Sequence, residues 1–228
     1  MSAGTFTVAF SHGSRGRLTA RDLGRFAGES LFDRIGRAVC AAGCLPRKEL
    51  YEAWEVARRS RRLFRGGRVV DLGGGHGLLA HIMLVLDDSS PSAIVVDTSE
   101  PPSAAALNTA LVDAWPRLRG RVSRETHDLD RTAVSAEDVI VASHACGRLT
   151  DVVIELAASA RARLAVLPCC HDTEACDDGG VSGWVAPDLA IDVARAIRLR
   201  DRGYRVWTQA IPAEITPKNR LLLAAPSG

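Results

Sequence analysis

Residues 68–80 read RVVDLGGGHGLLA, and four glycines occupy five consecutive positions between two apolar runs. The first run is typical of a buried strand. The second run begins the segment GLLAHIMLVLDD (77–88), which is typical of a helix. Glycine lets the backbone turn tightly and approach a ligand, and the free amides of a helix start point toward that ligand. The stretch therefore predicts a strand, loop and helix that bind a nucleotide-like molecule. A lone glycine-rich turn that merely closes such a unit is the competing interpretation.

The rest of the chain after this stretch alternates short β-branched runs with helical segments. The strand-like runs, in order, are RVVDL, SAIVVD, GRVSRET, DVIVAS, ARLAVLP, YRVWTQAI and RLLLAA. This order predicts an α/β fold, with a doubly wound, Rossmann-like, seven-stranded sheet. The last two runs follow each other without a helix, so we expect an antiparallel hairpin at one edge of the sheet.

The residues before the sheet are predicted to form N-terminal helices. Apolar residues recur at helical spacing from about Ala20, with Gly43 as a stop, and a second helix is expected from about Pro46 to Phe64. Residues 1–18 are rich in glycine, serine and arginine and are predicted to be loosely attached.

Length and composition indicate one ordinary globular unit with a modest addition. The chain has 228 residues, of which 25% are charged and 46% hydrophobic. We assign residues 1–66 to an N-terminal helical lid segment and residues 67–228 to the ligand-binding domain. The balance of 29 basic and 27 acidic residues makes large nucleic acids unlikely partners, and the lack of a long apolar stretch predicts a cytoplasmic protein without membrane association.

The spacing of the glycines distinguishes between two kinds of nucleotide loop. The dinucleotide pattern G-x-G-x-x-G fails because Leu78 stands where its last glycine belongs, whereas D-x-G-x-G-x-G fits Asp71, Gly73, Gly75 and Gly77. The next strand ends in an aspartate, at residue 97, where a carboxylate can accept hydrogen bonds from both hydroxyls of a ribose. This combination resembles the class I S-adenosylmethionine-dependent methyltransferases.

The resemblance implies a cofactor, S-adenosyl-L-methionine, and a set of residues around it. It places the loop, with Asp71, beside the methionine moiety, and the strand end beside the ribose. Asp128 would lie near the adenine amino group, although an aspartate there is also typical of a turn or helix cap. The C-terminal hairpin resembles the reversed seventh strand of this class. The implied cofactor-binding residues are Asp71, Gly73, Gly75, His76, Gly77, Asp97, Thr98, Asp128 and His144.

Two further segments narrow the resemblance to one branch of this class. DVIVASHACGRLTD (138–151) and RLAVLPCCHD (163–172) end neighbouring strands, and their HACG-x-x-TD and PCCH motifs lie over the expected crevice. Together with GGGHGLLA they resemble the branch of the eukaryotic tRNA acceptor-stem 2'-O-methyltransferase and the glutathione-S-transferase C-terminal-domain-containing proteins. LPRKELYEAWE (45–55) and ITPKNRLLL (215–223) resemble elements of its bacterial members.

The acceptor is predicted to be a small molecule. The tRNA enzymes of the branch carry extra cysteine and histidine zinc modules that this sequence lacks, and small bacterial members occur in natural-product pathways such as antibiotic biosynthesis. Two alternatives stay open. One is a protein that keeps the cofactor fold for cyclopropane-forming cyclisation or for a non-catalytic binding role. The other is an RNA 2'-O-methyltransferase, which predicts a continuous basic groove that joins Arg58, Arg61, Arg62 and Arg65 to the crevice. The sequence indicates no particular oligomeric state.

Proton removal from the acceptor requires a base beside the methyl donor. His144 is the first candidate for this catalytic role and His171 the second, although a histidine at a strand end also commonly bonds a backbone carbonyl. Glu52 or Tyr51, from the N-terminal helices, would orient the substrate.

Four residues are candidates for substrate contact, namely Tyr51, Trp54, Cys146 and Cys169. Tryptophan and cysteine are also typical packing residues, so a role in the core is the competing interpretation. The six cysteines of an intracellular chain of this length are expected to be reduced. The adjacent pair Cys169 and Cys170 lacks C-x-x-C spacing, and we therefore expect no metal.

Overall fold

Seven strands form a single sheet in the order β3-β2-β1-β4-β5-β7-β6 in this computed structural model, which describes residues 10–227. The strands are β1 (Val69–Leu72), β2 (Ala93–Asp97), β3 (Val122–Thr126), β4 (Val139–Ala142), β5 (Arg163–Val166), β6 (Tyr204–Ala210) and β7 (Arg220–Pro226). The α-helices are α1 (Leu31–Ala42), α2 (Arg47–Leu63), α3 (Leu78–Leu86), α4 (Ala104–Ala114), α5 (Arg148–Ala160) and α6 (Pro187–Asp201). Within the described range, no helix combines the length and the apolarity that a membrane span needs.

The five strands β1 to β5 are parallel, as the alternation of elements predicts. All residues of β1 and β4 are buried, which explains why VVDL and VIVA carry almost no polar side chains. Strand β1 pairs with β2 on one side and with β4 on the other. The strand order reverses between β1 and β4, and ligands of open α/β sheets bind at such a switch point.

The predicted C-terminal hairpin is confirmed. Strands β6 and β7 pair antiparallel from Tyr204 opposite Pro226 to Ala210 opposite Arg220. Strand β7 also pairs antiparallel with β5, so it lies between β5 and β6 while β6 forms the edge. The α/β fold with a reversed strand is thus the fold that the sequence predicts.

The first predicted helix is divided in two. A short 3-10 helix, Ala20–Phe26, precedes α1, which starts afresh because the Ser30 hydroxyl accepts the backbone N–H of Asp33 at 3.1 Å. Gly43, at φ +66°, ends α1 as predicted. The second predicted helix is confirmed as α2.

The N-terminal helices share a core with the sheet. Buried side chains of α1 and α2 belong to the same hydrophobic cluster as Val69 of β1 and Val139 of β4. The loose attachment predicted for residues 1–18 is wrong for its last residue, because Leu18 is buried and its N–H donates to the Leu45 carbonyl at 2.9 Å. Residues 1–9 of the predicted lid segment lie outside the described residues. The division into residues 1–66 and 67–228 stays a prediction.

Candidate active site

The carboxyl ends of β1, β2 and β4 open into a cavity of about 540 Å³. This volume lies in the range of small-molecule and cofactor sites. The residues that line it are Glu49, Gly73, Gly74, Gly75, His76, Asp97, Thr98, Asp128, Leu129, Asp130, His144, Ala145, Leu149 and Val152. Most of the predicted cofactor-binding residues are therefore brought together here. We call this space the main cavity.

The glycine loop forms one wall of the main cavity, and two of its glycines are required for different reasons. Gly75 has a φ of +48° and a side chain built there would meet open space, so its backbone borders the cavity directly. At Gly74 a Cβ would lie 2.7 Å from both Cγ of Asp71 and Cγ1 of Val95. Gly77 precedes the first residue of α3 and does not line the main cavity. The loop thus combines a left-handed turn with a close approach to the strands below.

Asp71 lies under the loop and does not line the main cavity. Its side chain is fully buried, and one carboxyl oxygen accepts the backbone N–H of Ala80 in α3 at 3.1 Å. The other oxygen has no hydrogen-bond partner. Burial raises the pKa of Asp71 to about 7, against the effects of the Ala80 N–H and Arg124, while Asp97 raises the pKa further. In this arrangement Asp71 ties the loop to α3.

Asp97 stands at the end of β2 and faces the main cavity. One carboxylate oxygen accepts the backbone N–H of Gly75 at 3.0 Å, and the other accepts that of Thr98 at 2.8 Å. These two bonds fix the carboxylate on the cavity wall. Each oxygen keeps a further lone pair for a hydroxyl group.

The loop after β3 forms another part of the cavity wall. Asp128 lines the main cavity and occupies the N-cap position of the 3-10 helix Leu129–Arg131, but its side chain makes no capping hydrogen bond. Leu129 and Asp130 also line the main cavity, although sequence reasoning did not select them. The one sequence signal that could have identified them is their position directly after Asp128.

His76 lies within the glycine loop and lines the main cavity. Its Nε2 is 2.9 Å from the hydroxyl of Ser103, which precedes α4. Burial lowers the pKa of His76, and the charges of Arg124 and Arg17 lower it further. An imidazole that is held by a hydroxyl therefore borders the cavity.

His144 and Glu49 also line the main cavity, and His144 lies beside the glycine loop, since a Cβ on Gly73 would be 3.9 Å from the His144 carbonyl carbon. His144 follows β4 and is exposed, while Glu49 lies in the first turn of α2. Burial raises the pKa of Glu49, the charge of His144 opposes this rise and Glu52 adds to it. Sequence reasoning missed Glu49, and the only signal for it was its place in the segment LPRKELYEAWE.

The two other predicted catalytic residues lie away from the main cavity. His171 is buried, and its Nε2 is 2.7 Å from a carboxylate oxygen of Asp192 in α6. Glu52 is buried on α2 and pairs with the Lys48 ammonium at 2.9 Å. The roles proposed for both residues stay predictions.

The predicted substrate contacts Tyr51 and Trp54 do not line the main cavity. The Tyr51 ring stacks on His12 with 4.3 Å between centroids, and the Trp54 ring is 5.2 Å from that of Phe32. Both side chains are half-buried and pack against the core. The position of Trp54 therefore agrees with the competing interpretation, that this residue packs in the core.

Three cysteines gather beside the main cavity. The Sγ atoms of Cys146 and Cys169 are 2.8 Å apart, and those of Cys146, Cys169 and Cys170 all lie within 4.8 Å of one another. Burial raises the pKa of the Cys146 and Cys169 thiols, and for Cys169 its cysteine neighbours raise the pKa further. All six cysteines are free thiols.

Arg58 and Arg61, two of the four arginines predicted to form a basic groove, are engaged in ion pairs. Arg61 is buried, where it donates to the Met83 carbonyl and pairs with Asp87 at 3.2 Å. Arg58 pairs with Glu55 at 2.8 Å. The predicted continuous groove is therefore wrong at Arg61, since ion pairing with the neighbouring helix end has taken this side chain into the core.

Sequence comparison identifies a known family. The profile of a family described as a methyltransferase domain matches residues 49–175, which is more than half of the chain and reaches from α2 to the segment after β5. No curated protein matches the sequence.

Solved structures of methyltransferases share the fold. An O-methyltransferase family protein from Burkholderia thailandensis superposes with a TM-score of 0.52 at 18% identity, over 94% of this chain and 65% of its own. The mitomycin 7-O-methyltransferase superposes with a TM-score of 0.50 at 20% identity, and the match covers 90% of this chain and 60% of the enzyme. The S-adenosylmethionine-dependent methyltransferase SibL superposes with a TM-score of 0.50 at 17% identity, and the match covers 92% of this chain and 66% of SibL. The chain thus spans less than two thirds of the length of these proteins.

Proposed function

The chain belongs to the methyltransferase-domain family, and from this premise we propose that it transfers a methyl group from S-adenosylmethionine to a small molecule. One observation carries the proposal. A single cavity joins the glycine loop and Asp97, which we call its cofactor end, to His144 and Glu49, which we call its acceptor end. A methyl donor and an acceptor need such neighbouring subsites, because the displacement is in line and requires alignment.

The residues of the first end fit the cofactor. The Gly75 backbone borders open space, so a ligand can lie against it. The Asp97 carboxylate, already positioned by two backbone N–H groups, has lone pairs for the ribose hydroxyls. Asp128 and Leu129 provide a polar and an apolar contact for the adenine. S-adenosylmethionine, when bound, supplies an electrophilic methyl group on a sulfonium centre.

The charge of the main cavity also supports this assignment. Four carboxyl side chains line it and no lysine or arginine does, among the described residues. An acidic wall attracts a positively charged sulfonium and ammonium, and it repels polyanions. The four residues are Glu49, Asp97, Asp128 and Asp130.

At the second end the chain provides groups that can take a proton from the acceptor. Histidine is the most common general base in enzymes, and Glu49 lies close enough to His144 for their charges to interact. We assign His144 the role of general base and Glu49 that of a partner that stabilises the imidazolium. The acceptor group would be a hydroxyl, an amine or an acidic carbon.

A small-molecule acceptor is favoured over RNA by the ion pairs that engage Arg58 and Arg61 and by the acidic cavity. The likeness to the mitomycin enzyme and the branch resemblance make natural-product biosynthesis the first context to test.

The test is label transfer. The protein is incubated with S-adenosylmethionine that is labelled in its methyl group, together with a panel of phenols, alcohols, amines and acidic carbon compounds, and separately with tRNA. We expect label in at least one small molecule and none in RNA. Cofactor binding without any transfer would favour the cyclase or a binding role. Absence of binding of both S-adenosylmethionine and S-adenosylhomocysteine in calorimetry would contradict the proposal.

A further inference from the structure

Half of the cysteines of the chain meet at one point. Cys146, Cys169 and Cys170 place their three Sγ atoms within 4.8 Å of one another, with 2.8 Å between Cys146 and Cys169. Cys40, Cys44 and Cys176 are buried elsewhere. No histidine or carboxylate of the described residues joins this group of three, which we call the thiol cluster.

Two loops build the thiol cluster, and backbone contacts hold them in register. Cys146 follows β4, and the other two cysteines follow β5, the parallel neighbour of β4. The N–H of Gly147 donates to the carbonyl of Cys170 at 3.2 Å, and the buried Arg195 donates to the carbonyl of Gly147 at 3.1 Å. The sulfur atoms are therefore gathered by the sheet itself and do not depend on long flexible segments.

We propose that the thiol cluster binds one thiophilic divalent cation of the Zn²⁺ class. Tetrahedral zinc with Zn–S bonds of about 2.3 Å places its sulfur ligands roughly 3.8 Å apart, and the sulfur separations of the cluster, from 2.8 Å to at most 4.8 Å, bracket this value. Small side-chain rotations bring three thiolates to one cation. Binding replaces three S–H protons by three metal–sulfur bonds, releases up to three protons and leaves a net charge of −1 at the site.

The coordination would be incomplete on the protein side. Three thiolates leave one position of a tetrahedron open, and Cys146 and Cys170 are exposed, so solvent or a substrate group can reach that position. Cys146 directly follows His144 and Ala145, which line the main cavity. The cation would thus link the loops after β4 and β5 at the edge of that cavity. This inference does not depend on the proposed methyl transfer.

The spacing of the cysteines explains why the sequence favoured the opposite expectation. The vicinal pair Cys169 and Cys170 lacks C-x-x-C spacing, and Cys146 is 23 residues earlier than Cys169. Only the parallel pairing of β4 and β5 brings the third sulfur to the pair.

The test uses Cd²⁺ alone as a probe, because cadmium–thiolate bonds absorb in the ultraviolet. The full-length protein is reduced with a phosphine, freed of metal and titrated with Cd²⁺ while absorbance and proton release are recorded. We expect one equivalent to bind with up to three protons released. Cys146→Ser, Cys169→Ser and Cys170→Ser should each lower the affinity at least about 100-fold, since even the loss of groups that only support metal ligands costs 10- to 100-fold.

Cys44→Ser is the matched control, because Cys44 is distant from the cluster in the chain and packs in the core beside α1. It should bind Cd²⁺ like the parent, and circular dichroism checks that every variant is folded. Failure of the reduced parent to bind Cd²⁺, or binding that Cys169→Ser leaves unchanged, would overturn the proposal. The proposal would also be overturned if Cys146 and Cys169 were found to form a disulfide and the protein, once reduced, still bound no Cd²⁺.

Discussion

The two ends of the main cavity are built in different ways. At the cofactor end, backbone N–H groups of the loop and of the next residue hold the Asp97 carboxylate. At the acceptor end, His144 comes from the β4 loop and Glu49 from α2, so the two side chains meet only because α2 packs over the sheet. The first end is specified by local chain geometry and the second by tertiary packing. We therefore expect the cofactor end to be general to the fold and the acceptor end to set the substrate.

The largest effect is expected at the acceptor end. His144→Ala should reduce kcat about 10²- to 10⁴-fold, the usual contribution of a general base, while the affinity for the cofactor changes little. Steady-state kinetics with the acceptor found by label transfer, combined with calorimetry, separate the two quantities. His127→Ala is the control, because His127 bonds Glu125 outside the main cavity. Unchanged kcat in His144→Ala would remove this residue from catalysis.

At the cofactor end, Asp97→Asn should weaken binding of S-adenosylmethionine about 10- to 100-fold, because hydrogen bonds to a charged group are worth roughly 1.5–3 kcal/mol. The folded state should persist, since the amide keeps one carbonyl oxygen for a backbone N–H. Calorimetry of the variant beside Asp113→Asn, an exposed aspartate of α4, measures the difference. Equal affinity for all three proteins would contradict the ribose assignment.

Two glutamates on one helix allow a finer comparison. Glu49 lines the main cavity, whereas Glu52 pairs with Lys48. Glu49→Gln should lower kcat about tenfold, which corresponds to the loss of about 1.4 kcal/mol of transition-state stabilisation, and shift the acid limb of the pH–rate profile, because burial holds the pKa of Glu49 above its usual value. Glu52→Gln should leave kcat nearly unchanged. The reverse result would support the orienting role that the sequence predicted for Glu52.

The smallest effect on catalysis is expected at Asp71, below the glycine loop, where a substitution should change the pH dependence of folding stability. The Asp71 carboxyl has its pKa raised from 3.8 to about 7, so the native state holds a proton that the unfolded state releases between these values. Folding stability should therefore fall as pH rises from about 4 to 7, by at most about 1.4 kcal/mol per pH unit, and level off above. Asp71→Asn should abolish this slope. Urea unfolding at pH 5 and pH 8 measures it, and an unaltered slope in the variant would refute the assignment to Asp71.

Much of the fold and of the cofactor end was predictable from the sequence because the signals are local. A strand that ends in an aspartate, glycines at fixed spacing and two strands without an intervening helix each specify geometry within a few residues. Asp97 and Gly75 were found in this way, and the structure brings both to the main cavity.

The acceptor end was predictable only in part. His144 follows a strand, and the carboxyl ends of parallel strands meet at one edge, so its position could be deduced. Glu49 lies on a helix whose rotation is set by packing, and a pattern of apolar residues does not tell which polar residue of the helix borders a cavity. Tyr51 and Trp54, on the same helix, turn instead toward Phe32. The break before α1 was missed because Ser30 caps the helix within an otherwise helical pattern.

The position of β7 also affects the order in which the sheet is assembled during translation. Strand β6 leaves the ribosome before β7, yet β7 is its only strand partner among residues 10–227, and β7 also covers the open side of β5. Until residues 220–226 have been synthesised, the nascent chain carries an open edge at β5 and an unpaired β6. Such edges are templates for wrong pairing between chains. We therefore expect chaperone protection to be most valuable until β7 has been synthesised.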